Sequence, residues 1–324
     1  MAPNNTVKGG KSKGKERAEP KTEAAMPFGK QFAHTDKAIR DQAVRNLTAF
    51  LSAGGDGVEG EGGYTRLEEK EMAKLWKGLF YCFWMSDKPL VQQALATELS
   101  ELLLRINPRT TGDRAAARLD ASLAFLEGFW TALVREWHGI DRLRIDKYYM
   151  LIRRYVNASF RLAARAEWSP AAVGGINAIL TGPHGPMSWQ DASVPMSLAT
   201  HLGDVYLAEL DKVMASEEGA GAPLIELLRP HIELVARTRN PTLLRRLQES
   251  VFAPLLDALK SDGDAMRNIA TKSTVDGRPV DAAALRAALL RALFAEAAQE
   301  STRDSNRRRL YALVRAEEDE EDDE

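Results

Sequence analysis

The residues best placed to do chemistry are cations along one long predicted helix, which begins near Asp141 and ends near Glu167. They are Arg142, Arg144, Lys147, Arg153, Arg154, Arg161 and Arg165. At 100° per residue, five of them gather in an arc opposite the apolar side chains, and Arg142 and Arg153 flank the apolar face. One guanidinium group can bind two oxygens of a phosphate at once, and a helix of this length covers ~30 Å. The spacing therefore predicts a cationic ridge, defined by these seven residues, that follows an RNA backbone.

Other cations and aromatic residues leave alternatives open. A secondary basic cluster comprises Arg237, Arg239, Arg245 and Arg246. Basic faces are common on helical scaffolds, so both groups could instead be solvated surfaces with ion pairs to neighbouring helices. The tyrosines at positions 148, 149 and 155 could stack on bases, but their helical phase favours packing in the core.

Catalytic patterns are poor in this sequence. No two of the five histidines have a metal-ligand spacing, and the pair His201 and Asp204 is more often structural than catalytic. The glycine-rich stretch 54–63 lacks the Lys-Ser/Thr ending of a phosphate-binding loop, and no nucleophile elbow occurs. The single cysteine, Cys82, excludes a disulfide framework and lies in an aromatic helix typical of core. We predict no catalytic residues, no metal, no cofactor and no enzymatic activity.

Charge is unevenly distributed along the 324 residues, although the net charge is only −2. The start is rich in lysine, and residues 317–324 are all acidic. Such basic and acidic ends suit a protein that works among nucleic acids and basic proteins, although both could simply be solubilising. No signal peptide and no apolar stretch of roughly 18–20 residues is visible, so we expect a soluble intracellular protein without a membrane contact.

The periodicity of apolar residues predicts helices almost throughout. The first predicted helix has Thr35 or Asp36 placed to cap it. Further predicted helices start near Glu68, at Pro89, near Leu119 and at Asp141, and others cover 195–215, 223–236, 240–260 and 281–315. Ser86-Asp87 is predicted to cap the helix at Pro89, Pro170 is interpreted as a loop signal, and Asp276-Gly277 marks a turn beside a short β segment. We therefore predict an all-α fold of antiparallel helix pairs, either a HEAT- or armadillo-like solenoid or an irregular helical bundle.

Four segments are predicted from composition and pattern. They are a disordered basic arm (1–27), a helical domain (28–260), a C-terminal helical extension (261–316) and an acidic tail (317–324). The arm lacks the large apolar residues that would offset the entropy of ordering. The two helical segments follow from helical periodicity, and the tail follows from its run of consecutive acidic residues.

Several segments resemble the ribosomal RNA-processing protein 1 family over about residues 28–260. The segments that carry the resemblance are Phe32 to Asp41, Leu75 to Glu98 with Trp84-Met85-Ser86-Asp87-Lys88-Pro89, Phe129 to Phe160 with Gly139-Ile140-Asp141-Arg142-Leu143-Arg144, and more weakly Pro195 to Leu210 and Leu227 to Pro230. The two central segments are long and unusual in composition, which makes the similarity specific.

The resemblance implies a nucleolar, non-enzymatic assembly factor of early pre-60S ribosomal particles. It implies a scaffold for precursor large-subunit rRNA and for other assembly factors, including Brix-domain and WD40-propeller proteins. The alternative is a helical adaptor that binds only proteins and does not contact RNA. The family supplies no catalytic residues, and its shared segments at 86–89 and 139–142 lie at helix junctions.

Overall fold

A computed structural model describes residues 31, 36–54, 64–216, 219, 221–260 and 265–322. Most of these residues lie in α-helices, which confirms the predicted all-α class. The helices are α1 Lys37–Ala53, α2 Glu69–Trp84, α3 Pro89–Arg105, α4 Arg114–Glu136, α5 Ile145–Arg165, α6 Pro170–Thr181, α7 Met196–Ser216, α8 Leu224–Arg237, α9 Pro241–Leu247, α10 Ala253–Lys260, α11 Arg267–Lys272, α12 Ala282–Ala297 and α13 Asp304–Asp322. A 3₁₀ turn, Trp137–Gly139, follows α4, and a π-helical turn, Gln248–Phe252, joins α9 to α10.

Helices α1 to α8 form two layers, because each packs chiefly against the helix two places along the chain, and α12 extends the second layer by packing on α8. One layer contains α1, α3, α5 and α7, and the other contains α2, α4, α6, α8 and α12. This next-but-one packing is typical of a helical solenoid, so the predicted solenoid-like architecture is compatible with the structure. One continuous hydrophobic core runs from α1 to α13.

Three short strands form the only sheet within the described residues. Strand β1 (Ala222–Pro223) pairs in parallel with β2 (Ser273–Val275), and β2 pairs antiparallel with β3 (Arg278–Pro279). Positive φ angles at Asp276 and Gly277 close the β2–β3 turn, as their sequence predicted. The sheet lies between the ends of α8 and α12 and does not change the fold class.

Several predicted helix ends are wrong, and each has a local cause. Pro170 is not a loop residue; it begins α6, where its missing N–H costs nothing and the Ser169 side chain caps the helix. Ser86-Asp87 does not cap α3, which starts at Pro89 without a side-chain cap. Asp36 does cap α1, through a bond from the Ala38 amide of 2.9 Å. The predicted helix at 281–315 is two helices, and 240–260 is interrupted by the π-helical turn.

The C-terminal segments do not form a separate unit. Helices α11 and α12 pack on α7 and α8, so the core continues past residue 260. Helix α13 runs through residue 317, where Glu317 is buried and its Oε2 lies 2.8 Å from Lys260 Nζ and 2.9 Å from Arg286 Nη2. The predicted acidic tail therefore begins inside a packed helix. The predicted basic arm lies outside the described residues.

Two glycines test the packing between α2 and α4. An added Cβ at Gly128 would lie 2.4 Å from Trp76 Cδ1, and Trp76 cannot yield because Phe125 and Phe129 hold its ring and its Nε1 donates to Phe125 O. We expect Gly128→Ala to destabilise the protein by about 1–3 kcal/mol, despite the helix propensity of alanine. An added Cβ at Gly78, on the exposed side of α2, would meet no described atom outside its own turn of helix within 4 Å, so Gly78→Ala should stabilise by about 0.5–1 kcal/mol. Urea denaturation measures both, and shifts of the same sign would contradict this packing.

Candidate nucleic-acid interface

Helix α5 carries most of the predicted cationic ridge, and its neighbours decide which of its side chains reach solvent. It packs between α3 and α7 within one layer and against α4 and α6 of the other. Tyr148, Ile152, Tyr155 and Phe160 are fully or almost fully buried, as their helical phase predicted. The hydroxyl of Tyr155 donates to Leu99 O at 2.9 Å. Only a narrow strip of α5 remains exposed, so its cations do not form one continuous ridge.

The N-terminal end of the ridge is a closed turn rather than an open cationic surface. The Asp141 carboxylate accepts hydrogen bonds from the amides of Leu143 (2.9 Å) and Arg144 (3.1 Å) and from the Arg144 guanidinium. Arg144 also lies over the Trp84 ring, 4.9 Å from its centroid. Arg142 is exposed and has no ion pair among the described residues. This end therefore offers one available cation, Arg142.

Lys147 does not face solvent, and its predicted place on the ridge is wrong. Its side chain is buried, and its Nζ donates to the carbonyl oxygens of Trp84 (2.7 Å) and Ser86 (2.8 Å). Burial and the neighbouring charge of Arg144 lower the pKa of Lys147 to about 8. The ammonium group joins the α2–α3 turn to the start of α5. The first turn of α5 follows the shared segment 139–142, so this contact holds the chain just after that segment against the other shared segment, 86–89.

The middle of the ridge lines a groove of about 370 Å³ between α3, α5 and α7, which we call the α5 groove. Its cations are Arg153, Arg154, Arg161 and Lys212, and its carboxylates are Glu101 and Glu209. Four cations against two carboxylates leave the groove positive. This groove retains three of the seven predicted ridge residues and adds Lys212, which the sequence did not single out.

Ion pairs orient two of the groove arginines. Arg153 Nε lies 2.5 Å from Glu209 Oε1, and Arg161 is paired with Glu101. Burial raises the pKa of Glu209, but hydrogen bonds from Lys212 and Arg153 outweigh it and hold that pKa below its usual value. These pairs are the alternative that the sequence left open for the ridge. They consume part of its charge and fix the guanidinium planes.

Arg154 differs from its neighbours in the groove. It has no ion pair within the described part of the chain, and its buried Nε has no hydrogen-bond partner. A guanidinium without an internal carboxylate retains its full charge for an external anion. Arg154 is therefore the groove residue best able to hold a phosphate.

Arg165 does not line the α5 groove. It lies in a separate pocket with Arg114 and Arg118, two arginines of α4 that the sequence analysis did not identify. A helical wheel of α5 could not find them, because they belong to another helix.

The secondary basic cluster is largely neutralised. Arg237 pairs with Glu296 (2.7 Å) and Glu233 (3.6 Å) and lies over the Trp189 ring. Arg246 pairs with Asp204 and Glu249, and Arg245 pairs with Glu249. Arg237 is mostly buried and unavailable, so its place in an RNA-binding cluster is wrong. Arg239 is exposed and has no ion pair among the residues described.

The described residues contain no arrangement typical of a catalytic or metal site. No group of three or more His, Cys, Asp or Glu side chains within them could hold a metal ion. His201 Nε2 lies 3.1 Å from Tyr149 O, which makes a structural contact. Burial raises the pKa of Cys82 to about 12, so this thiol remains protonated. In the same parts of the chain, every helix is too short or too polar to cross a bilayer.

Comparison with known proteins decides the family. The profile described as "Nucleolar protein, Nop52" matches residues 23–314. The chain belongs to the Nop52 family. This match extends well beyond residue 260, in agreement with the continuous core, so the family resemblance covers more of the chain than expected. The family description agrees with the predicted nucleolar location.

Curated relatives carry ribosomal RNA processing names. Ribosomal RNA processing protein 1 homolog B of Mus musculus is 34% identical over 263 residues, which cover 81% of this chain and 34% of the mouse protein. Homolog B of Homo sapiens is 34% identical over 72% of this chain and 28% of its own length. The Drosophila melanogaster homolog is 30% identical over 69% of this chain and 30% of its own length. The chain thus matches about a third of the length of these relatives.

Proposed function

We propose that this Nop52-family chain is a non-catalytic factor in large-subunit rRNA processing. In this proposal it binds early pre-60S particles and holds precursor rRNA and partner proteins in register. The family and the names of the relatives support a role in rRNA processing and ribosome biogenesis. The observation that carries the RNA contact is the positive α5 groove, in which Arg154 has no ion pair among the described residues.

The groove suits a phosphate backbone rather than bases. Arg153 and Arg161 are held by carboxylates on the two flanking helices, so their guanidinium groups lose little conformational freedom when an anion arrives. Arg154 lies on the same helix and has no such carboxylate in the part of the chain that the structure describes. Backbone contacts of this kind position a protein on RNA without reading its sequence, and they weaken as salt rises.

Partner proteins complete the proposal. Brix-domain and WD40-propeller assembly factors are the partners that the family resemblance implies. Arg142 and Arg239, which are exposed and without ion pairs among the described residues, remain proposed contacts to RNA or to acidic partners.

The protein-only adaptor remains a second candidate because of an exposed apolar group. Met85, Leu90 and Leu143 are 68%, 80% and 87% exposed, and in sequence they directly flank the shared segments 86–89 and 139–142. Large exposed apolar side chains are typical of protein contacts. An adaptor would use these residues and leave the arginines to acidic partners.

Sedimentation of the tagged chain from cell extracts tests the proposal. We expect it to comigrate with particles that contain large-subunit precursor rRNA, and the purified chain to bind bare rRNA with an affinity that falls steeply with salt. Particle association without RNA binding by the purified chain would favour the adaptor. Absence from every pre-ribosomal fraction would refute both candidates.

A further inference from the structure

The pocket that contains Arg165 lies where α3 ends, α4 begins and α5 ends. It has a volume of about 530 Å³ and is lined by Arg114, Arg118 and Arg165, with no carboxylate among its lining residues. We call it the three-arginine pocket. Its cations come from two helices of different layers, so tertiary packing brings them together.

The arginines of this pocket use few of their donors on the protein. Arg118 Nη2 and Arg165 Nη1 both donate to the carbonyl oxygen of Leu104, at 2.9 and 2.7 Å. Arg114 Nε donates to Asn107 Oδ1 at 3.2 Å, and the buried Nε of Arg118 has no hydrogen-bond partner among the described residues. Each guanidinium carries five N–H donors, so most of them remain available to a ligand with several acceptor oxygens.

The shared carbonyl holds two like charges together at a cost. Burial, together with the charges of Arg118 and Arg161, lowers the pKa of Arg165 to about 10. Elsewhere in the described chain, Arg153, Arg161 and Arg237 satisfy their charge with carboxylates. The three-arginine pocket has no such carboxylate, so a bound anion would supply the missing negative charge.

The surroundings identify the kind of anion. Arg105 and Arg109 are exposed in the same segment as Asn107 and have no ion pair within the described residues, so positive charge extends beyond one pocket. The rest of the lining is Ala115, Leu119, Leu162 and Ala166, with no aromatic ring for a base to stack on. An extended cationic surface without a stacking platform suits a run of backbone phosphates better than a single phosphorylated side chain.

We infer that the three-arginine pocket is a second RNA site, which clamps a backbone phosphate independently of RNA sequence. That the ligand is RNA rests on the proposed function, whereas the claim that the pocket binds an anion rests on its geometry alone. With the α5 groove, it gives the chain two phosphate contacts at different places, which would fix the direction of a bound strand.

Fluorescence anisotropy with a uridine homopolymer tests this inference on the full chain. We expect Arg114→Gln/Arg118→Gln/Arg165→Gln to weaken binding about tenfold and to reduce the slope of log K against log salt by about 2. Arg291→Gln/Arg308→Gln/Arg309→Gln is the matched control, because it removes from α12 and α13 three exposed charges that have no ion pair among the described residues. It should change the slope by much less.

Arg118→Lys/Arg165→Lys controls for a loss of binding that is caused only by unfolding. Lysine keeps the charge and can still donate to Leu104 O. We expect this variant to melt like the wild type, to retain the salt slope and yet to bind more weakly, since lysine lacks the bidentate fork. Equal RNA affinity of the triple pocket variant and its control would overturn the inference. A phosphoserine peptide that binds through the same arginines, while RNA binding is unchanged, would assign the pocket to a phosphoprotein instead.

Arg154→Gln, measured alongside, separates this inference from the proposed function. If only Arg154→Gln weakens RNA binding, the α5 groove binds RNA and the three-arginine pocket does not. If only the triple pocket variant weakens RNA binding, the three-arginine pocket binds RNA and the α5 groove does not. A wild-type chain that does not bind RNA would refute both.

Discussion

Lys147→Met is expected to lower the free energy of unfolding by about 2–4 kcal/mol, which is a large loss for a single side chain at the edge of a helix. The variant removes both hydrogen bonds that the ammonium donates to the α2–α3 turn. The Ser86 carbonyl retains a bond from Gln92 Nε2 at 2.8 Å, whereas the Trp84 carbonyl loses the donor described for it. Urea denaturation followed by circular dichroism measures the loss.

Lys77→Met is the matched control for this prediction. Lys77 lies on the exposed side of α2, so the same change of residue type should alter stability by less than about 0.5 kcal/mol. A second variant, Lys147→Met/Gln92→Leu, also removes the remaining donor to the Ser86 carbonyl and should be less stable than either single variant. If Lys147→Met were as stable as its control, Lys147 would be a surface residue, and its predicted place on the ridge would be restored.

The second large effect that we expect is a loss of folding stability at acidic pH, caused by His231. His231 on α8 is fully buried against the Tyr206 ring, and neither ring nitrogen has a hydrogen-bond partner among the described residues. Burial lowers the pKa of this histidine to about 3. The unfolded chain binds the proton near pH 6.5, and the folded chain does not, so protonation favours unfolding as pH falls below 6.5.

We therefore expect His231 to cost the wild type about 2 kcal/mol of stability between pH 7 and pH 5. His231→Leu removes the titrating group and should flatten the pH dependence by that amount. Stability at pH 7 should change little or rise, because an unpartnered polar group is replaced by an apolar one. Other groups titrate equally in both proteins, so the difference between their two pH profiles isolates His231. Parallel profiles from pH 5 to 7 would contradict this assignment.

The helices and the aromatic core could be predicted from the sequence because their signals are local. Apolar periodicity identified most helices, and the Asp36 cap and the Asp276-Gly277 turn are short-range patterns. The break between α12 and α13 was missed, because it depends on a distant contact. There the Asn306 amide donates to the carbonyls of Val235, Ala236 and Thr238, which lie on and after α8.

The cationic ridge shows why the candidate site could be predicted only in part. A helical wheel assigns one outer face, but α5 has neighbours on several sides, so a cation opposite the apolar stripe can still be buried, as Lys147 is. The wheel also cannot show that Glu101 and Glu209 reach α5 from two flanking helices. Arg114 and Arg118 join Arg165 only through the packing of α4. Residue types predicted a basic surface, and tertiary contacts determined which of its cations remain available.

Ultraviolet crosslinking of this protein to RNA in cells tests the central claim most directly. The comparison is between the wild type, Arg154→Glu in the α5 groove and Arg291→Glu as an exposed charge-reversal control on α12. We predict crosslinks to large-subunit precursor rRNA in the wild type and in the control, and their loss in a folded, particle-associated Arg154→Glu protein. Unchanged crosslinks in Arg154→Glu, or no rRNA crosslinks in a particle-associated wild type, would contradict an RNA contact in this groove.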